Sequence, residues 1–193
     1  MFIDYLTVML INMGAGLAIL ALFVLKYFDT DRKHLAPGLL LSGFIALATG
    51  LHEIFTWPIP GSYNIPFGEM SVLFGALLFV GAIALFRGWE LLSLSIYATF
   101  AGAACILLGI RVLNLNMTSE PLVASGGFVL TGLLGFLSLP IYYLRKYRWV
   151  SILATIALAG AAVIWTIFAF LGYWGHLANF AKWVPPTMQA GKQ

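Results

Sequence analysis

A row of polar side chains runs along one otherwise apolar segment of the chain. Thr49, His52, Glu53 and Thr56 recur at the spacing that places residues on a single face of an α-helix. Imidazole and carboxyl groups can coordinate a metal ion, transfer a proton or hold a polar ligand. Because an ionisable group that faces lipid is costly, we expect this polar stripe to point into a helix bundle or a wet cavity.

Other polar residues are expected near the same end of the bundle. The rise of an α-helix, counted along the predicted membrane spans, places His52, Glu69 and Arg111 in one layer close to the outer interface, with His176 somewhat farther out. We therefore predict an outward-facing polar cluster. Its members are His52, Glu53, Glu69, Arg111, Thr49, Thr56, Tyr63 and Asn64.

Two interpretations of the cluster concern packing and cofactor binding. In the structural interpretation, Arg111 pairs with Glu53 or Glu69 and the network locks the helices together. In the cofactor interpretation, a speculative metal site is formed by His52, Glu53, Glu69 and His176. Two histidines can also bind haem axially, with Arg111 next to a propionate. The spacing of these residues specifies no particular metal.

Three methionines fall in the same half of the bundle as the cluster. Met9 and Met13 are one helical turn apart, and Met70 follows Glu69. Thioether ligands favour Cu(I), so these side chains extend the list of metals that the site can be proposed to hold. Methionine at helical spacing is nevertheless far more common in apolar packing than in metal binding.

Transport and catalysis are the remaining hypotheses. An ion-coupled transporter is expected to carry charged residues or broken helices near the bilayer midplane, and the middles of the predicted spans are uncharged. An enzyme would use Glu53 and Glu69 as an acid and base pair beside His52. The sequence contains no nucleophile elbow, phosphate-binding loop or zinc-binding HExxH helix, so catalysis is the least favoured hypothesis.

Composition defines the environment in which these side chains act. Of the 193 residues, 62% are hydrophobic and 9% are charged, which is too apolar for a normal water-facing surface. We therefore expect a multi-pass protein of the cell membrane, with the lipid bilayer as its main partner. The net charge of +3 is too small and too dispersed to favour nucleic acid as a partner.

Apolar runs long enough to cross a bilayer predict an all-α fold with six transmembrane helices in a single domain covering residues 1–193. The predicted spans are approximately 5–26, 36–57, 67–87, 90–112, 121–144 and 149–173.

Basic residues then orient this bundle. The linkers after the odd-numbered spans contain Lys26, Arg32, Lys33, Arg87, Arg145, Lys146 and Arg148, whereas the opposite side contains Arg111, Lys182 and Lys192. The positive-inside rule therefore predicts that both termini are extracytoplasmic.

Small residues predict how the helices pack. Gly38, Ser42, Ala46 and Gly50 recur every four residues along the second span, and such rows let helix backbones approach closely in lipid. The same faces would also serve a homo-oligomer or a subunit of a larger membrane complex. Pro140 is expected to kink the fifth helix near its inner end.

The segment 51–70 carries the most distinctive motifs of the chain. They are Leu51-His52-Glu53, Thr56-Trp57-Pro58, Pro60-Gly61-Ser62-Tyr63-Asn64-Ile65 and Phe67-Gly68-Glu69, and the prolines predict a rigid loop that lies over the cluster as a lid. In these motifs the chain resembles an uncharacterised group of bacterial and archaeal membrane proteins, domain of unknown function family 981. The resemblance extends over nearly the whole chain and implies a small multi-span membrane protein, without implying an activity.

The preferred functional hypothesis is a membrane protein whose outward-facing polar cluster binds a small ligand, a metal ion or haem. A structural or accessory subunit of a larger membrane complex is one alternative. A small transporter or channel is the other.

Overall fold

The computed structural model describes residues 5–27 and 33–184. These residues form helices and loops, with no strand among them. The α-helices are α1 (Leu6–Leu22), α2 (Ala36–Thr56), α3 (Met70–Arg87), α4 (Leu92–Asn114), α5 (Pro121–Phe136), α6 (Ser138–Leu144) and α7 (Arg148–Asn179). Two π-helical turns (Phe23–Tyr27 and Ile65–Glu69) and one 3₁₀ turn (Lys33–Leu35) extend α1, α3 and α2 respectively. Arg32 and Lys192, which contribute to the predicted orientation, lie outside the described residues.

The lengths of these helices confirm the predicted all-α fold class. Five helical segments of the described chain are long and apolar enough to cross a membrane, and α5 with α6 makes a sixth if this bent pair is one span. The bend between α5 and α6 is 47°. Pro140 explains it, because proline has no N–H to donate to the carbonyl of Phe136 and its ring collides with that carbonyl. The kink predicted at Pro140 is therefore confirmed.

Three closely packed helix pairs make up the bundle: α1 with α7, α2 with α3, and α4 with α5. Glycine permits the close approach. A methyl group added to Gly43 would overlap the backbone nitrogen of Phe79, and one added to Gly102 would overlap that of Phe136. In lipid, where the hydrophobic effect does not drive helices together, such backbone contact is a main source of packing energy.

Trp165 in α7 lies near the centre of the bundle and is 3% exposed. Its indole N–H donates a 2.9 Å hydrogen bond to the Thr131 hydroxyl of α5, and its ring meets that of Phe128 edge to face at 5.1 Å. A buried indole needs such a partner, so this contact fixes α7 against α5. The α4–α5 pair is thereby joined to the α1–α7 pair.

Candidate functional site

Glu53 lies in the last turn of α2 and is completely buried, with 0% of its surface exposed. Neither carboxyl oxygen has a hydrogen-bond partner within the described part of the chain. Gly68, in the π-helical turn before α3, makes room for this side chain, since a methyl group added there would lie 3.2 Å from both Cβ and Cγ of Glu53. Helix α2 ends directly afterwards, where Trp57 adopts a left-handed conformation and donates its N–H to the Glu53 carbonyl.

Tyr5 provides a second unpartnered polar group beside Glu53. Its hydroxyl is buried and makes no hydrogen bond to any described residue. The Tyr5 ring meets the His52 ring edge to face, with centroids 5.4 Å apart. In the structure the first candidate span, Leu6–Lys26, begins directly after Tyr5. Burial, and secondarily the negative charge of Glu53, raises the pKa of the Tyr5 phenol to about 12. The Tyr5 hydroxyl and the Glu53 carboxyl are thus two buried groups without a partner among the described residues, and we call the buried region around them the Glu53 pocket.

The other members of the polar stripe do not enter this pocket. His52 and Thr56 are exposed and Thr49 is half-buried. The Thr49 hydroxyl donates to the Ile45 carbonyl at 2.8 Å, and the Thr56 hydroxyl donates to the His52 carbonyl at 2.7 Å. Of the four residues in the stripe, only Glu53 is fully buried in the bundle.

Arg111 and Glu69 are both exposed. Because the carboxyl oxygens of Glu53 have no partner, the predicted pairing of Arg111 with Glu53 is not present. His176 packs edge to face against Phe180, with ring centroids 5.5 Å apart.

A metal site is likewise not assembled. Among residues 5–27 and 33–184, no three His, Cys, Asp or Glu side chains are grouped so as to hold a metal ion. The proposed ligand set is therefore not brought together: His52, Glu53, Glu69 and His176.

Asn64 and Tyr63 serve the loop between α2 and α3. Asn64 is fully buried, its amide nitrogen donates to the Ile59 carbonyl at 2.5 Å, and its amide oxygen accepts the Ile59 N–H at 3.2 Å. Tyr63 is half-buried and packs against the main apolar core. Both candidate ligand-binding residues thus have structural contacts, and the amide clamp of Asn64 holds the loop in one conformation.

Two adjoining apolar cavities lie between the helix pairs. The first has a volume of about 100 Å³ and is lined by Met9, Met13 and Met70, among other residues. The second, of about 240 Å³, extends toward the opposite end of the bundle past Leu17 and Leu134. Both cavities are lined by Phe74, Leu77, Ala98, Thr131 and Gly135. These shared walls make the two cavities neighbours, and we treat them together as one apolar space between the helix pairs.

Sequence patterns gave no indication of Tyr5 or of this space. Tyr5 stands alone at the edge of the first apolar run, far from Glu53 in the chain, and no spacing connects the two residues. Cavity walls are made of the same apolar residues that fill a packed core. The three methionines considered as Cu(I) ligands line the first cavity together.

These features define an all-α bundle of membrane-spanning dimensions. Near one end it has a buried carboxyl group without a partner among the described residues, and apolar cavities lie between its helix pairs. The chain belongs to the family described as "Protein of unknown function (DUF981)", whose model matches residues 1–179. The predicted resemblance to this family is thereby confirmed. Comparisons with curated proteins and with solved structures found no match.

Proposed function

We propose that this chain is a multi-span protein of the cell membrane that binds a small ligand. The ligand donates a hydrogen bond to the carboxyl group of Glu53. The observation that carries the proposal is the complete burial of Glu53 without a partner for either oxygen in the described structure. Buried polar groups are nearly always hydrogen-bonded, and one left unpaired costs about 1–3 kcal/mol, more when it is charged. A ligand that donates to the carboxyl group would remove this cost.

Neighbouring polar side chains support a ligand rather than an internal network. Thr49, Thr56 and Asn64 direct their hydrogen bonds to backbone carbonyls of their own segment. Glu69 and Arg111 are exposed. Among the described residues, buried hydrogen-bonding capacity remains unused at Glu53, at the Tyr5 hydroxyl and at the Thr118 hydroxyl, and Glu53 is the one carboxyl group among them.

The position of the pocket supports access from the outer side of the membrane. Glu53 lies three residues before the end of α2, and the loop that follows is on the side to which the positive-inside rule assigns both termini. The basic linkers at the opposite end would then face the cytoplasm. Assembly with further copies or with other membrane subunits remains a separate prediction, on which the proposed binding does not depend.

Thermal unfolding of the purified protein with methylammonium as the probe tests the proposal. Methylammonium carries charge and N–H donors, whereas tetramethylammonium carries the same charge without a donor. We expect methylammonium to raise Tm in a saturable manner, since a ligand at 100 times its Kd stabilises the folded state by about 2.7 kcal/mol. Tetramethylammonium at equal ionic strength should have no saturable effect.

Two carboxamide variants supply the matched comparison. Glu53→Gln should abolish the saturable shift, whereas Glu69→Gln should retain it because Glu69 is exposed. Equal shifts with both cations, or an unchanged shift in Glu53→Gln, would contradict donor binding at Glu53. No saturable shift in the unmodified protein would mean that water alone satisfies the carboxyl group, and this too would overturn the proposal.

A further inference from the structure

We infer that the ligand of Glu53 is a single-chain amphiphile, with a hydroxyl or ammonium head group at the Glu53 pocket and one hydrocarbon chain in the two adjoining cavities. The inference rests on the proposed function and adds the chemical class of the ligand. It concerns the space between the helix pairs and not the fully exposed outer face that carries residues such as Phe44 and Phe100.

The elements that surround Glu53 also form the near end of the first cavity. Gly68 contacts the Glu53 side chain, and its neighbours Pro66, Phe67 and Met70 line the cavity. On α1, Met9 lines the same cavity one helical turn after Tyr5. Tyr5 thus lies about one helical turn, roughly 5 Å along α1, from a residue of the cavity wall.

The space has the dimensions of one extended chain. Along α1 its walls include Met9 and Met13 in the first cavity, then Leu17 and Val24 in the second. At about 1.5 Å per residue, the distance from Met9 to Val24 is roughly 22 Å, more than half the hydrocarbon thickness of a bilayer. A volume of about 240 Å³ in the larger compartment fits a narrow, linear occupant better than a two-chain lipid.

The walls of the two cavities favour a ligand without polar groups along its hydrocarbon chain. The Thr131 hydroxyl already accepts the Trp165 indole N–H, the Cys105 thiol donates to the Phe128 carbonyl at 3.2 Å, and the Ser138 hydroxyl donates to the Ser95 carbonyl at 2.7 Å. Hydrocarbon needs no hydrogen bonds and therefore fits this lining. At the head, a carboxylate ligand would meet a carboxyl group of the protein, so a hydroxyl or an ammonium group is favoured.

Photolabelling with three probes of equal chain length tests the inference in the full-length protein. Hexadecanol, hexadecylamine and hexadecanoic acid, each with a diazirine at mid-chain, are added to protein in phosphatidylcholine nanodiscs, and the labelled residues are identified by mass spectrometry. We expect the alcohol and the amine to label Phe74 and Leu77 in the cavity wall. The acid should label them about tenfold less, as loss of a charge-assisted head-group bond predicts.

Two glycines give a matched pair of variants for the chain. Gly81 lines the second cavity and Gly126 is exposed on α5, and a methyl group added at either meets nothing within 4 Å. Gly81→Leu should therefore fill the cavity without displacing a helix and should suppress labelling of Phe74 and Leu77. Gly126→Leu should leave this labelling unchanged, and so should the exposed carboxyl variant Glu69→Gln.

The outcomes separate the two levels of the proposal. Cavity labelling that is lost in both Gly81→Leu and Glu53→Gln supports the single-chain ligand. Labelling confined to lipid-facing residues such as Phe44 and Phe100 overturns it, while a methylammonium effect that depends on Glu53 would leave the proposed function standing. Cavity labelling that is equal for all three head groups and unchanged in Glu53→Gln also overturns the inference, because the cavity would then hold a membrane lipid chain that Glu53 does not select. The methylammonium titration decides the proposed function separately.

Discussion

Glu53 and Glu90 lie near opposite ends of the bundle. Buried carboxyl groups usually have a hydrogen-bond partner in the protein and exposed ones can rely on water, but these two glutamates show the reverse. Glu90 is exposed, where water can satisfy a carboxylate, yet it accepts a 2.7 Å hydrogen bond from the Tyr142 hydroxyl. Arg145 holds Tyr142 in place next to Glu90. The Arg145 guanidinium lies 4.2 Å from the centre of the Tyr142 ring and donates to the Tyr142 carbonyl at 2.7 Å. Glu53 is fully buried and has no partner in the described structure.

This difference indicates that the described chain supplies a hydrogen-bond donor to Glu90 but none to Glu53. A carboxyl group at a protein surface can lose a partner at little cost, whereas a buried one cannot. The pocket is also held in place by backbone features that leave Glu53 little freedom to move out: the close contact with Gly68 and the clamped loop at Asn64. A rigid, incomplete pocket is what a binding site requires before its ligand arrives.

Replacement of Glu53 by an apolar residue should have the largest effect on this contrast. In ligand-free protein, Glu53→Met should increase the free energy of unfolding by about 2–3 kcal/mol, because it removes a buried, unpaired polar group and keeps a similar volume. Glu90→Met should instead lower the free energy of unfolding slightly, since the Tyr142 hydrogen bond is lost at an exposed site. Unfolding titrations of both variants in the same lipid nanodiscs would measure the two signs.

A lower free energy of unfolding in Glu53→Met would contradict the claim that Glu53 lacks a hydrogen-bond partner in the ligand-free protein. It would mean that the carboxyl group makes favourable interactions in the ligand-free protein. Methylammonium should have no saturable effect on this variant, which links the stability measurement to the binding test.

Gly68→Ala should have the next largest effect, with the opposite sign. The added methyl group would lie 3.0 Å from the Ile54 side chain and 3.2 Å from that of Glu53, so these side chains or the π-helical turn must move by a few tenths of an ångström. Overpacking of this kind costs about 1–2 kcal/mol of folding free energy. The probe-dependent change in Tm should weaken together with stability, because the shift displaces Glu53.

Gly81→Ala is the control for this substitution. Its added methyl group meets nothing within 4 Å, and alanine is favoured over glycine in a helix by up to about 1 kcal/mol. The free energy of unfolding should therefore stay equal or rise. If Gly68→Ala behaves like Gly81→Ala in the same titration, the contact between Gly68 and Glu53 does not constrain the pocket.

The helical architecture could be predicted from the sequence because it depends on local properties. Apolar run length locates membrane spans, and the missing N–H of Pro140 locates the bend between α5 and α6. Of the predicted row of small residues, Gly50 lies where helix backbones meet, since a methyl group added there would lie 2.8 Å from the Gly68 carbonyl oxygen. Each of these effects acts within one segment or between neighbours in the chain, so the residue types alone are informative.

The site could be predicted only in part, because its members come from distant segments. Helical spacing grouped Glu53 with His52 and Thr56. One face of a helix extends over more than 100°, however, so residues at its edge, such as His52 and Thr56, can be exposed while Glu53 is buried. Which of these residues is buried depends on how α1 and α3 pack against α2. Tyr5 becomes part of the pocket through the same packing, and the cavities arise where whole helix pairs meet.

Two tyrosine substitutions should give the smallest effects and the most direct test of the contrast between the two ends. Tyr5→Phe removes a buried hydroxyl that has no partner and keeps the ring against His52, so the free energy of unfolding should rise by less than about 1 kcal/mol. Tyr142→Phe removes the hydroxyl that donates to Glu90 and should lower the free energy of unfolding slightly. The two substitutions delete the same atom type, so a difference in sign can come only from the surroundings. Equal changes for both, measured in one unfolding titration, would show that the Tyr5 hydroxyl has a partner in the membrane, such as bound water.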